Sequence, residues 1–285
     1  MDFKSYYELT KPGIVRGNLI TATAGFLLAA RGNVNWGLLA AVLSGTALVI
    51  ASSCVFNNYI DRDVDKKMSR TKKRPLVTGA IPAVNALIFA TFLGLSGFII
   101  LASFTNWRTV VMGIFGVVVY LIAYGISKRR SIHSTVIGSL AGAAPLVAGY
   151  VAVTNRFDGG AFLLFVILVC WQMPHFYSIG IYRREDYVAA KLPILTVKNG
   201  ILEAKKQIFY YILAFFVASS GLTIFGYAGY TYLIIMTLVS TFWLRFALAG
   251  FKATDNIAWA RRMFNLSLIV NVLFSILISL DKWLP

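Results

Sequence analysis

Three oxygen-bearing side chains stand four residues apart in one segment of the chain. They belong to Asn57, Asp61 and Asp65. On a helix, a step of four residues turns the chain by about 40° and advances it by about 6 Å, so the three would line one face. Amide and carboxylate oxygens suit Mg²⁺, which leaves some of its positions to phosphate oxygens. The spacing predicts a magnesium site, although a solvated helix end paired with Arg62 and Lys66 would give the same pattern.

A run of basic residues follows these acids. Residues 70–75 read RTKKRP. Arg and Lys bind phosphate oxygens, so a metal on the acids and cations beside it could hold a diphosphate between them. The same positive charges would also be attracted to anionic lipid head groups at a membrane surface. The sequence leaves both interpretations open.

The composition indicates that these residues are positioned by membrane helices. Of the 285 residues, 58% are hydrophobic and 13% are charged, and the mean hydropathy is +0.73. An average soluble domain is about 45–50% apolar and about 25% charged. This excludes a soluble enzyme, a disordered chain and a secreted disulfide scaffold. Cys54 and Cys170 lie in apolar runs and are expected to be buried thiols.

Nine continuous apolar stretches are long enough to cross a bilayer as helices. We therefore predict an all-α integral membrane protein. Its nine transmembrane helices surround a central cavity, and residues 1–285 form a single polytopic domain. The predicted spans are 14–30, 36–58, 81–103, 108–126, 134–153, 159–180, 207–227, 230–250 and 263–281.

The basic residues predict the orientation of the chain. Of the 27 Lys and Arg residues, 23 fall in or beside the N-terminal tail and every second loop. The positive-inside rule then predicts that the N-terminus is in the cytoplasm and the C-terminus is outside. The short loops favour a bacterial inner membrane, so we expect the C-terminus in the periplasm. A net charge of +16 would suggest nucleic acid for a soluble protein. Here its distribution favours contact with membrane lipids, and we expect no nucleic-acid partner. The outer side holds Arg31, Arg108, Arg156 and Lys282.

The motifs resemble those of the UbiA-type intramembrane prenyltransferases. Asn57-x-x-x-Asp61-x-x-x-Asp65, with Arg74-Pro75 after it, is similar to the first signature of that family. Lys128-Arg129, after Tyr120 and Tyr124, resembles the basic loop after its fourth span. The heme O synthase branch of the family is the closer match, on blocks 10–13 (TKPG), 54–63 (CVFNNYIDRD), 138–145 (GSLAGAAP), 171–176 (WQMPHF) and 186–187 (DY).

This resemblance implies a reaction. Mg²⁺ held by Asn57, Asp61 and Asp65 would bind farnesyl diphosphate, with Asp186 as a further catalytic acid. A vinyl group of heme b, which is a substrate rather than a cofactor, would attack the allylic cation. Water would complete heme O, which would supply a terminal oxidase. The residues implied in substrate binding are Arg62, Arg70, Lys72, Lys73, Arg74, Lys128, Tyr182 and Arg183.

The second acid motif departs from the wider family. Quinone-type members carry Asp-x-x-x-Asp after the sixth span, whereas here Tyr182 stands four residues before Asp186. Glu185 could contribute, or a second metal could be held differently or be missing. The heme branch shows the same change.

Three residues are expected to contact heme, namely His175, Trp171 and His133. His175 follows Pro174, which can break the sixth helix and free backbone groups at a cavity. A ligand to heme iron and a hydrogen-bonded core histidine both fit His175. His133 begins the fifth span beside basic residues, where it could meet a propionate or the membrane interface.

Two other functions remain open on the sequence. The first is prenyl transfer to a quinone precursor, which the block around His175 and the tyrosine at position 182 disfavour. The second is membrane transport. A transporter is expected to place its acids near the middle of the membrane, whereas these acids gather at one cytoplasmic edge.

Overall fold

Nine long helices build the part of the chain that the structure, a computed structural model, describes, residues 3–285. All nine are long and apolar enough to cross a membrane, and these residues include no strand, so the predicted fold class is confirmed. The helices are α1 (Pro12–Ala30), α2 (Trp36–Ile60), α3 (Ala83–Phe104), α4 (Trp107–Arg130), α5 (Ser134–Thr154), α6 (Gly159–Tyr182), α7 (Gly200–Ile224), α8 (Tyr230–Ala249) and α9 (Asn256–Leu280).

Short helices occupy the ends of the chain and the loops between the long ones. Two of them lie in the loop from α2 to α3 and two in the loop from α6 to α7, the two longest connections. The short α-helices are Phe3–Leu9, Arg62–Asp65, Pro75–Thr78, Arg184–Ala189 and Leu195–Lys198, and the 3₁₀ turns are Gly250–Lys252 and Asp281–Trp283.

Several helices extend beyond the apolar stretches that identify them. α7 and α9 each begin seven residues before the expected span, at Gly200 and Asn256, and α4 continues to Arg130. The added turns carry charged residues such as Glu203 and Arg261. Hydropathy records the part of a helix that lies in lipid, whereas backbone hydrogen bonding continues into the polar turns beyond it.

The nine helices pack in chain order around a closed ring. Each helix contacts the next along the chain, and α9 returns to contact α1. Further contacts cross the ring from α1 to α5 and from α6 to α9. These two crossings join α1 to α5 and α6 to α9 inside the bundle.

Small residues let α1 and α5 approach closely. A Cβ added to Gly25 would collide with the backbone carbonyl of Leu146, and one added to Gly149 would collide with that of Ala22. Small residues at helix crossings are the usual means of close packing between membrane helices. Gly142 of α5 is equally confined, because a Cβ there would collide with the carboxamide of Gln172.

Side-chain caps fix where several helices begin. Asn35, Asn106, Asp158 and Asp255 precede α2, α4, α6 and α9, and each side chain accepts a hydrogen bond from a backbone N–H of the first turn. These N–H groups have no partner inside the helix, so the caps satisfy them.

One turn of α4 is wound differently from the rest. Residues Val119–Tyr124 form a π-helical turn. It places the rings of Tyr120 and Tyr124 in a stack, with their centroids 5.8 Å apart. Such turns interrupt the regular spacing of side chains and are frequent at functional sites. Here the turn directs Tyr120 toward the end of α2.

Candidate active site

The residues Asn57, Asp61 and Asp65, hereafter the acid row, lie on successive turns at the end of α2. α2 ends at Ile60 and a short helix follows it, but the backbone bonds between them keep helical spacing. The Asp61 N–H donates to the Asn57 carbonyl at 3.0 Å, and the Asp65 N–H donates to the Asp61 carbonyl at 2.8 Å. All three side chains are buried. The Asn57 amide donates to Asp61 Oδ2 at 2.7 Å.

Two basic side chains compensate the buried carboxylates. Lys128 at the end of α4 donates to Asp61 Oδ2, and Arg74 donates to Asp65 Oδ2 at 2.5 Å. Arg129 lies further away, with its guanidinium 3.8 Å from Asp61 Oδ1. Since an unpaired charge is very costly away from water, the pairs allow the row to be buried.

Lys11 is a third cation at the acid row, and sequence reasoning missed it as a site residue. Its ammonium donates to Asn57 Oδ1 at 2.6 Å, and Tyr120 OH donates to the same atom at 3.2 Å. Burial lowers the pKa of Lys11 to about 8. Its backbone is left-handed, with φ 51°, an unfavourable conformation for a residue with a side chain. A lysine immediately before a proline that opens an apolar helix was the available signal.

The remaining free oxygens determine how well the row fits a metal ion. Asn57 Oδ1 already accepts two hydrogen bonds, so a metal there would have to displace a donor. Asp61 Oδ1 is buried and makes no hydrogen bond within residues 3–285, and the same is true of Asp186 Oδ2. Carboxylate oxygens are the ligands that Mg²⁺ prefers. The residues therefore fit a magnesium ion through Asp61, and the Asp186 oxygen is a second candidate ligand.

The protein alone does not surround such an ion. Within residues 3–285, no three His, Cys, Asp or Glu side chains lie close enough to one another to hold a metal. Mg²⁺ is commonly bound through one or two carboxylates and the phosphates of a substrate rather than by an all-protein cage. The arrangement suits a metal that arrives with a phosphorylated ligand.

Asp186 joins the two long loops on this side of the protein. Its Oδ1 accepts from the Ser69 N–H at 2.8 Å and from the Ser69 hydroxyl at 2.7 Å. Burial alone would raise the pKa of Asp186, but these hydrogen bonds, with Arg183 and Arg70 nearby, leave the pKa below its ordinary value. Asp186 is therefore held as a carboxylate. Glu185 beside it is exposed.

The remaining residues expected to bind substrate lie at the edge of this site. Tyr182 is half-buried and packs edge-on against Phe264, while Arg183 lies 5.6 Å from the Tyr182 ring. Arg62 stacks on Tyr59 and donates to the Tyr59 carbonyl at 2.9 Å. Of the expected basic residues, Arg74 and Lys128 alone contact the acid row among those described, and the exposed ones are Arg62, Arg70, Lys72, Lys73 and Arg183.

Trp171, His175, Phe264 and Ser267, hereafter the histidine cluster, connect α6 to α9. The His175 ring lies 5.3 Å from the Trp171 ring and 4.5 Å from the Phe264 ring. His175 Nδ1 is 2.9 Å from Ser267 Oγ, and Trp171 Nε1 donates to the Ser267 carbonyl at 2.7 Å. The expected break at Pro174 is wrong, because α6 continues through it to Tyr182. Trp171 and His175 lie side by side on α6, and their expected contact with heme stays a prediction.

His133 is not part of this cluster. It is exposed and lies directly before α5, where its backbone N–H donates to the Ser131 hydroxyl. The expected contact between His133 and a heme propionate stays a prediction, and its position also suits a residue at the membrane interface.

A cavity of about 300 Å³ lies at the other end of the bundle. Arg31, Tyr227, Asp281 and Lys282 line it, together with apolar side chains of α1 and α9. α1 is 19 residues long, so this cavity is about 28 Å from the acid row along the helix axis. The cavity and the carboxylates therefore belong to opposite faces of the membrane.

Known proteins resemble this chain in sequence along almost its whole length. The sequence profile of the UbiA prenyltransferase family matches residues 18–269. A protoheme IX farnesyltransferase from Citrobacter koseri is 49% identical, with 100% of this chain and 97% of the relative covered. A protoheme IX farnesyltransferase from Shigella flexneri is also 49% identical over the same shares.

Solved structures share the fold at low sequence identity. A digeranylgeranylglyceryl phosphate synthase superposes with a TM-score of 0.76 at 17% identity, covering 96% of this chain and 98% of the other. A UbiA homologue from Archaeoglobus fulgidus bound to DMAPP and Mg²⁺ superposes with a TM-score of 0.74 at 16% identity, over the same shares. At these identities the likeness shows the arrangement of helices.

Proposed function

Because the chain belongs to the UbiA prenyltransferase family and is a prenyltransferase, we propose that it transfers the farnesyl group of farnesyl diphosphate to a vinyl group of heme b. The 49% identity to protoheme IX farnesyltransferases over the full length of the chain carries this assignment. Nine apolar helices make it a multi-pass membrane protein.

The reaction begins at the carbon–oxygen bond of the allylic diphosphate. That bond breaks, and diphosphate leaves with the electron pair. The vinyl group attacks the farnesyl cation and forms a carbon–carbon bond, which moves the positive charge to the carbon beside the porphyrin ring. Water adds there and loses a proton, which gives heme O.

The charges of the acid row support binding of the diphosphate. Three cations, Lys11, Arg74 and Lys128, contact the row, against the two carboxylates of Asp61 and Asp65. A net positive charge therefore remains, and it attracts a diphosphate that stays anionic with Mg²⁺ bound. Mg²⁺ would supply electrostatic stabilisation of the leaving group. Asp61 Oδ1 and Asp186 Oδ2 are buried carboxylate oxygens that make no hydrogen bond within residues 3–285, so both are available to hold it.

The three cations would also stabilise the leaving group directly. In the structure they donate to Asn57, Asp61 and Asp65, and each has further donors on the same nitrogen or guanidinium. Hydrogen bonds from charged donors to phosphate are stronger than neutral ones, and strongest where water is excluded. A diphosphate beside the row can therefore use donors that are already in position.

The histidine cluster supports a flat apolar acceptor. It presents the aromatic rings of Trp171 and Phe264 beside the partly exposed imidazole of His175. Imidazole is a common axial ligand of heme iron. We propose that His175 and Trp171 contact the heme, that the N-terminus faces the cytoplasm and the C-terminus the periplasm, and that the product serves a heme-dependent oxidase.

The acceptor is tested with purified protein in detergent, farnesyl diphosphate and Mg²⁺. Heme b, a quinone precursor such as an aromatic acid, or neither is added, and the products are identified by mass spectrometry. We expect farnesylated heme alone. Transfer to the aromatic acid without a heme product would assign the chain to quinone-type chemistry. No product from folded protein, with transport of a solute into liposomes, would reopen the transport hypothesis.

A further inference from the structure

Ser267 makes two contacts that together determine the protonation of His175. Its hydroxyl oxygen is 2.9 Å from His175 Nδ1 and 2.6 Å from the carbonyl oxygen of Phe264, one turn earlier in α9. A carbonyl has no proton to give, so the contact with Phe264 requires the serine hydroxyl to donate.

A hydroxyl group carries one proton, so its assignment fixes the other contact. Because the Ser267 hydroxyl donates its proton to the Phe264 carbonyl, Ser267 Oγ can act toward His175 Nδ1 only as an acceptor. The Nδ1 atom must then carry the proton of the neutral imidazole, and Nε2 holds the free lone pair. This assignment satisfies the Ser267 hydroxyl and His175 Nδ1, as burial inside a membrane protein favours.

The Nε2 atom is free to meet a ligand. It makes no hydrogen bond to any residue in the range 3–285, and the His175 side chain is partly exposed. Trp171 also contacts Ser267, because its indole N–H donates to the Ser267 backbone carbonyl. The imidazole is therefore fixed by rings on two sides and by one hydrogen bond at its edge.

We propose that Ser267 is a positioning residue that holds His175 in the Nδ1–H form and presents Nε2 to the iron of heme b. The inference rests on the proposed function. Histidines that bind metals almost always donate their other ring N–H to a neighbouring group, which fixes the tautomer and raises the basicity of the ligand. In the other tautomer, Nε2 would carry the proton and could not bind iron.

The test is a heme titration of purified protein in detergent, followed by absorption and resonance Raman spectra of the bound heme. Ser267→Ala removes the acceptor but keeps the backbone carbonyl that Trp171 uses. We expect heme affinity to fall about 10-fold or more, the usual effect of losing such a partner, with a weaker iron–imidazole stretch. Ser267→Thr keeps the hydroxyl and should retain the spectrum of the unchanged protein.

A matched control lies in the same helix. Ser275 is buried in α9, and its hydroxyl makes no hydrogen bond to any described residue. Ser275→Ala therefore removes the same atoms without touching the histidine cluster. We expect its heme affinity and spectrum to equal those of the unchanged protein.

Each outcome tests the role of a different residue. A spectrum and affinity for Ser267→Ala equal to those of the unchanged protein would overturn the role of Ser267. A signature of iron–imidazole bonding that survives in His175→Ala would overturn the ligand assignment as well. If Ser267→Ala does not fold, the unchanged protein decides, because an iron–imidazole stretch typical of an imidazole without a hydrogen bond at Nδ1 overturns the proposal. Farnesyl transfer by the unchanged protein, measured in parallel, reports on the proposed function alone.

Discussion

The acid row and the histidine cluster are built from opposite chemistry. In the acid row, ion pairs compensate each buried carboxylate, so the site is shaped for charged groups before any ligand binds. In the histidine cluster, aromatic rings surround one imidazole and one hydroxyl. The first arrangement suits a metal diphosphate and the second suits a flat apolar ring, which is the division that a transfer between these two substrates requires.

The two regions also differ in what maintains them. Removing one member of a buried ion pair leaves the other charge uncompensated, which typically costs about 3–5 kcal/mol. Losing a neutral hydrogen bond typically costs about 0.5–1.5 kcal/mol. Substitutions in the acid row should therefore have larger effects than substitutions in the histidine cluster. Substitutions in the two regions should also affect the use of different substrates.

The largest effect is expected from Asp61→Asn. Asparagine keeps an oxygen that can accept from Lys128, so the fold should survive, but the carboxylate oxygen that makes no hydrogen bond within residues 3–285 is lost together with the negative charge. We expect turnover to fall about 100-fold or more, as when a main electrostatic contact in an active site is removed. Turnover is measured as farnesylated heme at saturating Mg²⁺, and heme affinity should not change.

Asp63→Asn is the matched control for that change. Asp63 is two residues away, with 60% of its side chain exposed, and it makes its ion pair with Arg129 rather than with Lys128 or Arg74. Turnover close to normal in Asp61→Asn, or an equal loss in both variants, would contradict the assignment of Asp61.

Lys11→Met should have the next largest effect. The change removes a charged donor at Asn57 and one of three cations at the row, while methionine retains much of the side-chain length. A hydrogen bond to a charged group is worth about 1.5–3 kcal/mol, so we expect kcat/KM for farnesyl diphosphate to fall about 10- to 100-fold. Lys206→Met is the control, because Lys206 is half exposed and pairs weakly with Glu203. Equal kinetics in both variants would remove Lys11 from the site.

His175→Ala tests the histidine cluster. We expect heme to bind about 10-fold more weakly, because the imidazole that contacts Ser267 is lost together with its free Nε2. The KM for farnesyl diphosphate should stay the same, since His175 makes no contact with the acid row among the described residues. A rise in that KM with unchanged heme binding would reverse the roles of the two regions.

The smallest effect concerns the exposed pair of Asp63 and Arg129. Two hydrogen bonds of 2.8 Å from Arg129 hold the pKa of Asp63 at about 2, below its ordinary value. Because that pKa is lowered in the folded protein, the stabilisation is present above pH 4 and is lost as the pH falls toward 2. Exposure limits it to well under 1 kcal/mol. Thermal unfolding of Asp63→Asn and the unchanged protein should differ slightly at pH 7 and converge at low pH.

The sequence predicts the fold and the acid row because both depend on local regularities. Nine apolar runs specify nine helices, and the spacing of four specifies a shared face even though α2 ends inside the motif. Asp186 was found by the resemblance, and the structure joins it to Ser69, which lies 117 residues earlier in the chain.

The partners of those residues depend on how distant helices cross, which no local pattern records. Lys11 lies 46 residues before Asn57, and it reaches the site because a left-handed residue turns the chain before α1. Ser267 lies 92 residues after His175, in a stretch of α9 that reads as uniformly apolar apart from its serines and asparagines. Pro174 did not break α6 as predicted. The helix continues through the proline and packs against neighbouring helices, which can compensate the backbone groups that a proline frees.

The central claim is that this chain joins a farnesyl group to heme in a magnesium-dependent reaction that ends with water. One incubation tests it, with heme b, farnesyl diphosphate and Mg²⁺ in water enriched in oxygen-18, and an identical sample with EDTA. We predict an extracted heme heavier by one farnesyl group and one labelled hydroxyl, present with Mg²⁺ and missing with EDTA. A product that forms equally in EDTA, or one that carries no label, would contradict the account.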